Sequence, residues 1–335
     1  MDDCLYYNTL AIASRGDRRA LIKIKKKWGT WEIAYKALSQ DGRKEWERLA
    51  RSEIRLVLLE DAEYPPLLRE MADPPLGIYI RGSLPQGKRV FAIVGTRKAT
   101  PDGIRIAEKF GAVLGGAGFA IVSGLALGID AAGHVGALAA GGTAVAVLAG
   151  GLSEIYPHTN RRLAEKILAS GGAIVSEYPL DEPPYPGRFI ERNRIISGLA
   201  HGVLVIEAPA MSGSLATARF ALEQNRDVFV IPGNIAHPNF AGSHSLIRQG
   251  AELVTAPQDI LAAYGIAQES AAAAAAADAS PEEMLILKAL RSISSPADVD
   301  KIIEMTRLET RIVTTALGFL VAKNLVHETE SGYTM

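Results

Sequence analysis

The chain has 335 residues, 48% apolar and 22% charged, with a formal net charge of -1. That composition suits two or three globular domains and excludes binding of a polyanion through average charge, so any such binding falls to local clusters. The single cysteine, Cys4, leaves no internal disulfide and no cysteine-based zinc site. A polar start and the lack of any run of about 18 apolar residues predict a cytoplasmic chain with no membrane span.

Residues 1–60 are expected to form a small helical (SAM-like) domain, because 4–51 carry helical periodicity, clearest in "LIKIKKKWGTWEIAYKAL". Lys23, Lys25, Lys26 and Lys27, with Arg15, Arg18 and Arg19, cluster there. They read either as solvated surface or as a weak, sequence-independent contact for nucleic-acid backbone. Residues 61–88 hold too many prolines for a long helix and read as an extended arm.

From 89 to 265 seven strand-length apolar runs, from "RVFAIVG" to "AELVT", alternate with helix-length stretches at 101–117, 130–141, 159–170, 190–200, 213–225 and 242–249. Short strands apolar on both faces imply a mostly parallel sheet covered by helices, a doubly wound α/β domain. The alanine-rich stretch 266–281 reads as a linker. Residues 282–335 show three helical patterns and a terminal ribbon, which suggests a winged helix.

Phosphate chemistry is prominent and catalytic chemistry is thin. Neither G-x-G-x-x-G after the first strand nor a Walker A lysine occurs. "GGAGFA" at 115–120 falls at a helix end and reads as a C-cap turn with Gly118 left-handed. Five polar loops instead follow predicted strand ends: "GTRKAT", "SGLALGID", "GGLSEIYPHTN", "SEYP" and "EAPAMSGSLATA". Loops on that edge, leading into helix N-termini, suit an anion. In "GRFIERNRIISGLA", Arg188, Arg192 and Arg194 fall within seven residues, with Phe189 among them. Guanidinium forks suit phosphates and an exposed ring suits a base; alternatively the arginines pair with Glu177, Glu191 and Glu207. Asp130 reads as a base or as a helix N-cap. The six histidines show no metal-binding spacing, and no cofactor is expected.

These segments, together with "PGNI" at 232–235, resemble the DNA-processing protein A (DprA or Smf) family in order along about two thirds of the chain. The resemblance implies a Rossmann-like domain that binds single-stranded DNA, forms a homodimer and helps to load RecA in natural transformation, without enzymatic activity. Carried over by motif, Arg97, Arg192 and Arg194 would contact phosphates. Gly95, Thr96, Ser123 and Gly124 would line the pocket with Asn193, Ser212 and Ser214, and Phe189 matches the family's phenylalanine. Ile190 stands where a proline is usual, Ser153 where an aspartate is common and His244 where an asparagine is common. The competing reading is a nucleotide-hydrolysing enzyme of the lysine-decarboxylase-like group, whose "PGGxGTxxE" turn carries a catalytic glutamate. Ala218 falls where that glutamate would be, which disfavours it.

Overall fold

Four helices open the chain: α1 (Asp2–Ala13), α2 (Arg18–Trp28), α3 (Trp31–Leu38) and α4 (Arg43–Arg51). They were located in a computed structural model that describes residues 2–38, 41–266, 280–293, 296–322, 325–329 and 332–334. Asp17 caps α2 by accepting from the backbone N–H groups of Arg19 and Ala20. Tyr7, Leu10, Leu21, Trp31 and Leu49 are buried between these helices, and the Tyr7 and Trp31 rings meet edge to face at 5.1 Å.

The proline-rich segment is more than an extended arm. It holds a short helix α5 (Pro66–Arg69) and, with the residues before it, two strands, β1 (Ile54–Leu58) and β2 (Gly77–Gly82). β1 and β2 pair antiparallel, and β2 pairs antiparallel with β6 (Ala173–Ser176), so both extend the main sheet. Prolines 65, 66, 74 and 75 stay in the connection between the strands, where no ladder hydrogen bond is demanded of them.

The other strands are β3 (Val90–Gly95), β4 (Ala120–Ser123), β5 (Thr143–Val147), β7 (Gly202–Ile206), β8 (Asp227–Val230) and β9 (Glu252–Leu253). The nine-stranded order is β1-β2-β6-β5-β4-β3-β7-β8-β9, with β3 to β9 all parallel. This is the doubly wound fold read from the alternation of apolar runs. Helices α6 (Pro101–Gly116), α7 (Ile129–Ala139), α8 (Arg161–Ala169), α9 (Pro186–Leu199), α10 (Gly213–Glu223), α11 (Ala241–Arg248) and α12 (Pro257–Ala263) connect the strands or follow the last. α6 ends as expected, with Gly118 at a positive φ of 91°. The chain winds outward from β3 through β4, β5 and β6, then returns to start β7 on the other side of β3. The crevice of such a sheet lies beyond the carboxyl ends of β3 and β7.

The chain divides into two compact units, Met1–Ile260 and Leu261–Met335. The second contains α13 (Pro281–Arg291), α14 (Val299–Thr306), α15 (Thr310–Ala322) and a hairpin of β10 (His327–Thr329) with β11 (Gly332–Thr334). Ser280 and Glu283 form a capping box on α13, and Ile286, Leu290, Ile302, Val313, Leu317 and Leu320 make a separate core. Three helices and a ribbon match the winged-helix pattern. The linker expected at 266–281 lies mostly outside the described residues.

Candidate functional site

The carboxyl end of β3 turns at Gly95, where backbone approaches backbone: a Cβ there would lie 1.9 Å from the Ile206 carbonyl oxygen. The next residue is tied down, the Thr96 N–H donating to the Glu207 carbonyl at 2.8 Å. Arg97 then projects outward. It is exposed, has no carboxylate partner among the described residues, and lays its guanidinium over the Phe189 ring at 4.8 Å from the centroid.

Phe189 belongs to α9, and the period of the helix sorts its residues. Phe189, Arg192, Asn193 and Ile196 share a face by i, i+3, i+4, i+7 spacing, and all four line a cavity of about 650 Å³ beyond the ends of β3 and β7. Arg194 lies about 200° round the helix from Arg192. Its Nη2 meets both oxygens of Glu177, at 2.7 and 2.6 Å, and its Nε is 3.3 Å from Asp73. Arg188 points a third way, to the Arg15 and Pro183 carbonyls and Glu182, between the Tyr178 and Tyr185 rings.

Arg192 is the buried cation of the cavity. It donates from Nη1 to the Gly124 carbonyl at 2.9 Å and to that of Val147, and from Nε to Asn193 Oδ1 at 3.3 Å. Burial pushes its pKa down to about 10, with Asp130 opposing and Arg97 adding to the fall, so it stays charged at neutral pH. No carboxylate comes within ion-pair distance of it among the described residues. Asp130, in the first turn of α7, accepts from the Gly124 N–H at 3.0 Å, and burial raises its pKa. It is not the N-cap: Gly128 holds that position at φ 77°, where a Cβ would strike the Thr96 carbonyl.

The facing wall is the start of α10. Ser212 caps the helix, accepting from the Ser214 N–H at 3.3 Å, and the two hydroxyls are 2.7 Å apart. Asn193 Nδ2 donates to the Gly213 carbonyl at 3.1 Å and joins this wall to α9. A helix N-terminus, a pinned guanidinium and a free one around one cavity form an arrangement suited to phosphate oxygens. Glu207 takes no part in charge pairing there. Its carboxylate accepts from the Thr100 N–H, the Thr100 hydroxyl and Asn239 Nδ2, which fixes the start of α6. Glu191 accepts from the Tyr178 hydroxyl at 3.1 Å.

The structure therefore brings Gly95, Thr96, Arg97, Phe189, Arg192, Asn193, Ser212 and Ser214 to one cavity. Gly124 lines a smaller recess against Arg192, Phe189 and Tyr156. Ser123 is buried and donates to the Ile93 carbonyl at 2.6 Å, so it shapes the turn without facing the cavity. Arg194 is placed elsewhere. Two aromatic residues join that sequence reading left out: exposed Tyr156, whose ring meets Phe189 edge-on at 5.7 Å, and exposed Tyr185. Their signal was an aromatic in a loop just past a strand end.

Residues 55–265, more than half of the chain, match the family described as DNA recombination-mediator protein A. The chain belongs to that family. Among curated relatives, Protein Smf of Escherichia coli is 48% identical over 208 residues, covering 62% of this chain and 55% of that protein. DNA processing protein DprA of Streptococcus pneumoniae is 43% identical over 210 residues, covering 62% and 73%. The chain thus spans about half the length of the Smf proteins it matches, 55% for E. coli and 53% for Synechocystis. An X-ray structure of DprA from S. pneumoniae aligns with a TM-score of 0.59 and 38% identity over 69% of this chain and 80% of that one. A structure of the Helicobacter pylori DNA processing protein A, concerned with its single-stranded DNA binding mode, aligns with a TM-score of 0.57. Its identity is 29%, over 63% of this chain and 95% of that one. The mostly parallel sheet is the Rossmann-like domain of these relatives.

Proposed function

We propose that this protein binds single-stranded DNA in the cavity beyond β3 and β7 and presents it to the recombinase RecA, without acting on it chemically. The observation that carries this reading is the pair of guanidinium groups, Arg97 free in solvent and Arg192 pinned in the wall, beside the N-terminus of α10. Phosphates along a strand meet two positive sites, one of them held in place, and Phe189 and Tyr156 offer ring surface for bases. The single-strand binding described for the H. pylori relative supports it, as does the family's recombination-mediator description.

A non-catalytic role is supported at α10. Ala218, where the hydrolase glutamate would stand, is buried in that helix, and Thr217 is the neighbouring residue that lines the cavity. Among the described residues no cluster of His, Cys, Asp or Glu is arranged to hold a metal ion, and no helix is long and apolar enough to cross a membrane. A cytoplasmic homodimer is the form we propose for the working protein.

Fluorescence anisotropy with a labelled oligothymidylate and a duplex of equal length tests the reading. Single-strand binding that weakens steeply with salt and exceeds duplex binding is expected. Preference for duplex, or release of ribose phosphate from a nucleoside monophosphate, would overturn it.

A further inference from the structure

The N-terminal helices carry a second cationic surface that the cavity does not use. α2 contains six cations and no carboxylate, and they fall into two groups. Lys25 is tied to Glu60 and to the Trp31 ring, 4.8 Å from its centroid, while the Arg18 Nε donates to the Pro74 carbonyl at 3.0 Å and Lys27 lies over Trp28 at 5.0 Å. Arg19, Lys23 and Lys26 are exposed, and none has a side-chain partner among the described residues. Their i, i+4, i+7 spacing places all three along one stripe of the helix. Elsewhere in these helices several cations are neutralised: Lys36 by Glu32, Arg43 by Asp41, and Arg48 by Glu45 and Asp181. A face of ordinary solvated charge mixes signs as α4 does; the stripe on α2 does not.

The turn that leads into α2 is hydrogen-bonded to the residue before the cavity wall. Arg15, in the turn before α2, accepts at its carbonyl from Arg188 Nη2 at 2.6 Å, and Arg188 directly precedes Phe189 of the cavity wall. The Arg15 side chain is 70% exposed and reaches Glu182 of the same loop at 3.4 Å. Bidentate pairing of Arg48 with Asp181 fixes that loop to α4 as well. From Arg19 to Lys26 the helix rises about 10 Å, long enough to meet more than one phosphate of a strand.

We propose that Arg19, Lys23 and Lys26 form a second phosphodiester-binding surface, over which a single strand leaving the cavity continues. The inference rests on the reading of the cavity as a single-strand site. Its ligand is backbone phosphate without regard to sequence, because the three side chains are long, exposed and unpinned. Site size on the full chain therefore exceeds what the cavity alone covers.

The test compares the full-length wild type with Arg19→Gln/Lys23→Gln/Lys26→Gln and with the corresponding triple glutamate variant. The probes are oligothymidylates of about six and about twenty nucleotides, within and above the length one groove tracks. The long probe is expected to bind both variants about tenfold more weakly, with a salt slope smaller by about 2, while the short probe binds as to wild type. Equal binding of the long probe by all three proteins overturns the proposal. So does loss of binding to phosphatidylserine vesicles with oligonucleotide binding intact, which would assign the stripe to a membrane surface. If Arg97→Ala binds both probes as the wild type does, the cavity reading falls and the proposal with it, whereas equal long-probe binding by the triple variants overturns the proposal alone.

Discussion

Arg97, Arg192 and Arg194 look alike in the sequence and differ in what a substitution would do. Arg97 is exposed and makes no ion pair among the described residues, so Arg97→Ala is expected to leave the urea midpoint unchanged while weakening single-strand binding. Arg194→Ala is expected to do the reverse. It strands buried Glu177 without the Nη2 that meets both its oxygens, a loss of about 3–5 kcal/mol in stability, while the folded protein binds DNA as before. Urea titration beside anisotropy separates the two, and unchanged stability of the Arg194 variant would refute its structural assignment. His134 is fully buried with no hydrogen-bond partner for either ring nitrogen among the described residues, and burial, with the Arg192 charge adding, pushes its pKa down to about 3. In the unfolded chain the ring takes a proton near pH ~6.5. Stability tied to its neutral form is thus complete above about pH 6.5 and lost as the pH falls toward 3, by up to about 1.4 kcal/mol per pH unit. Urea midpoints at neutral and mildly acidic pH should fall less for His134→Leu than for wild type; an equal fall would show that other groups govern acid sensitivity.

At the scale of elements, α9 and the turn after β4 act together. Gly124 has no room for a side chain, since a Cβ would lie 2.5 Å from Arg192 Nη2, and that guanidinium is held by two carbonyls. Gly124→Ala is expected to displace Arg192 and weaken single-strand binding about tenfold, measured by anisotropy; wild-type affinity would show that the Arg192 position is not critical. The sequence made this helix visible as a dense arginine segment but could not show how the arginines divide. Direction depends on helical phase and on partners far along the chain: Glu177 for Arg194, and the Arg15 carbonyl for Arg188. Tyr156 was hidden for the same reason, because its contact with Phe189 joins a loop to α9 across the sheet edge. The glycines and hydroxyls at strand ends were legible because local chemistry alone demands them there.

For the whole molecule, the doubly wound body was legible from seven apolar runs of strand length, whereas β1 and β2 were not. Their signal, "IRLVL" and "GIYIRG", is brief, the second lies between prolines, and its pairing with β6 is a tertiary choice. The two compact units imply separable roles. A chain ending after Ile266 keeps the entire cavity and is expected to bind single strands with wild-type affinity; loss of binding on that truncation would move the site to the second unit. In the proposed function the cavity between α9 and α10 holds phosphates through Arg97 and Arg192. Anisotropy titrations of wild type and Arg97→Ala with one labelled oligothymidylate, at low and moderate salt, test it most directly. Weaker binding by the variant is expected, with a salt slope shallower by about 0.7, one phosphate contact fewer. Coincident curves at both salt concentrations would contradict it.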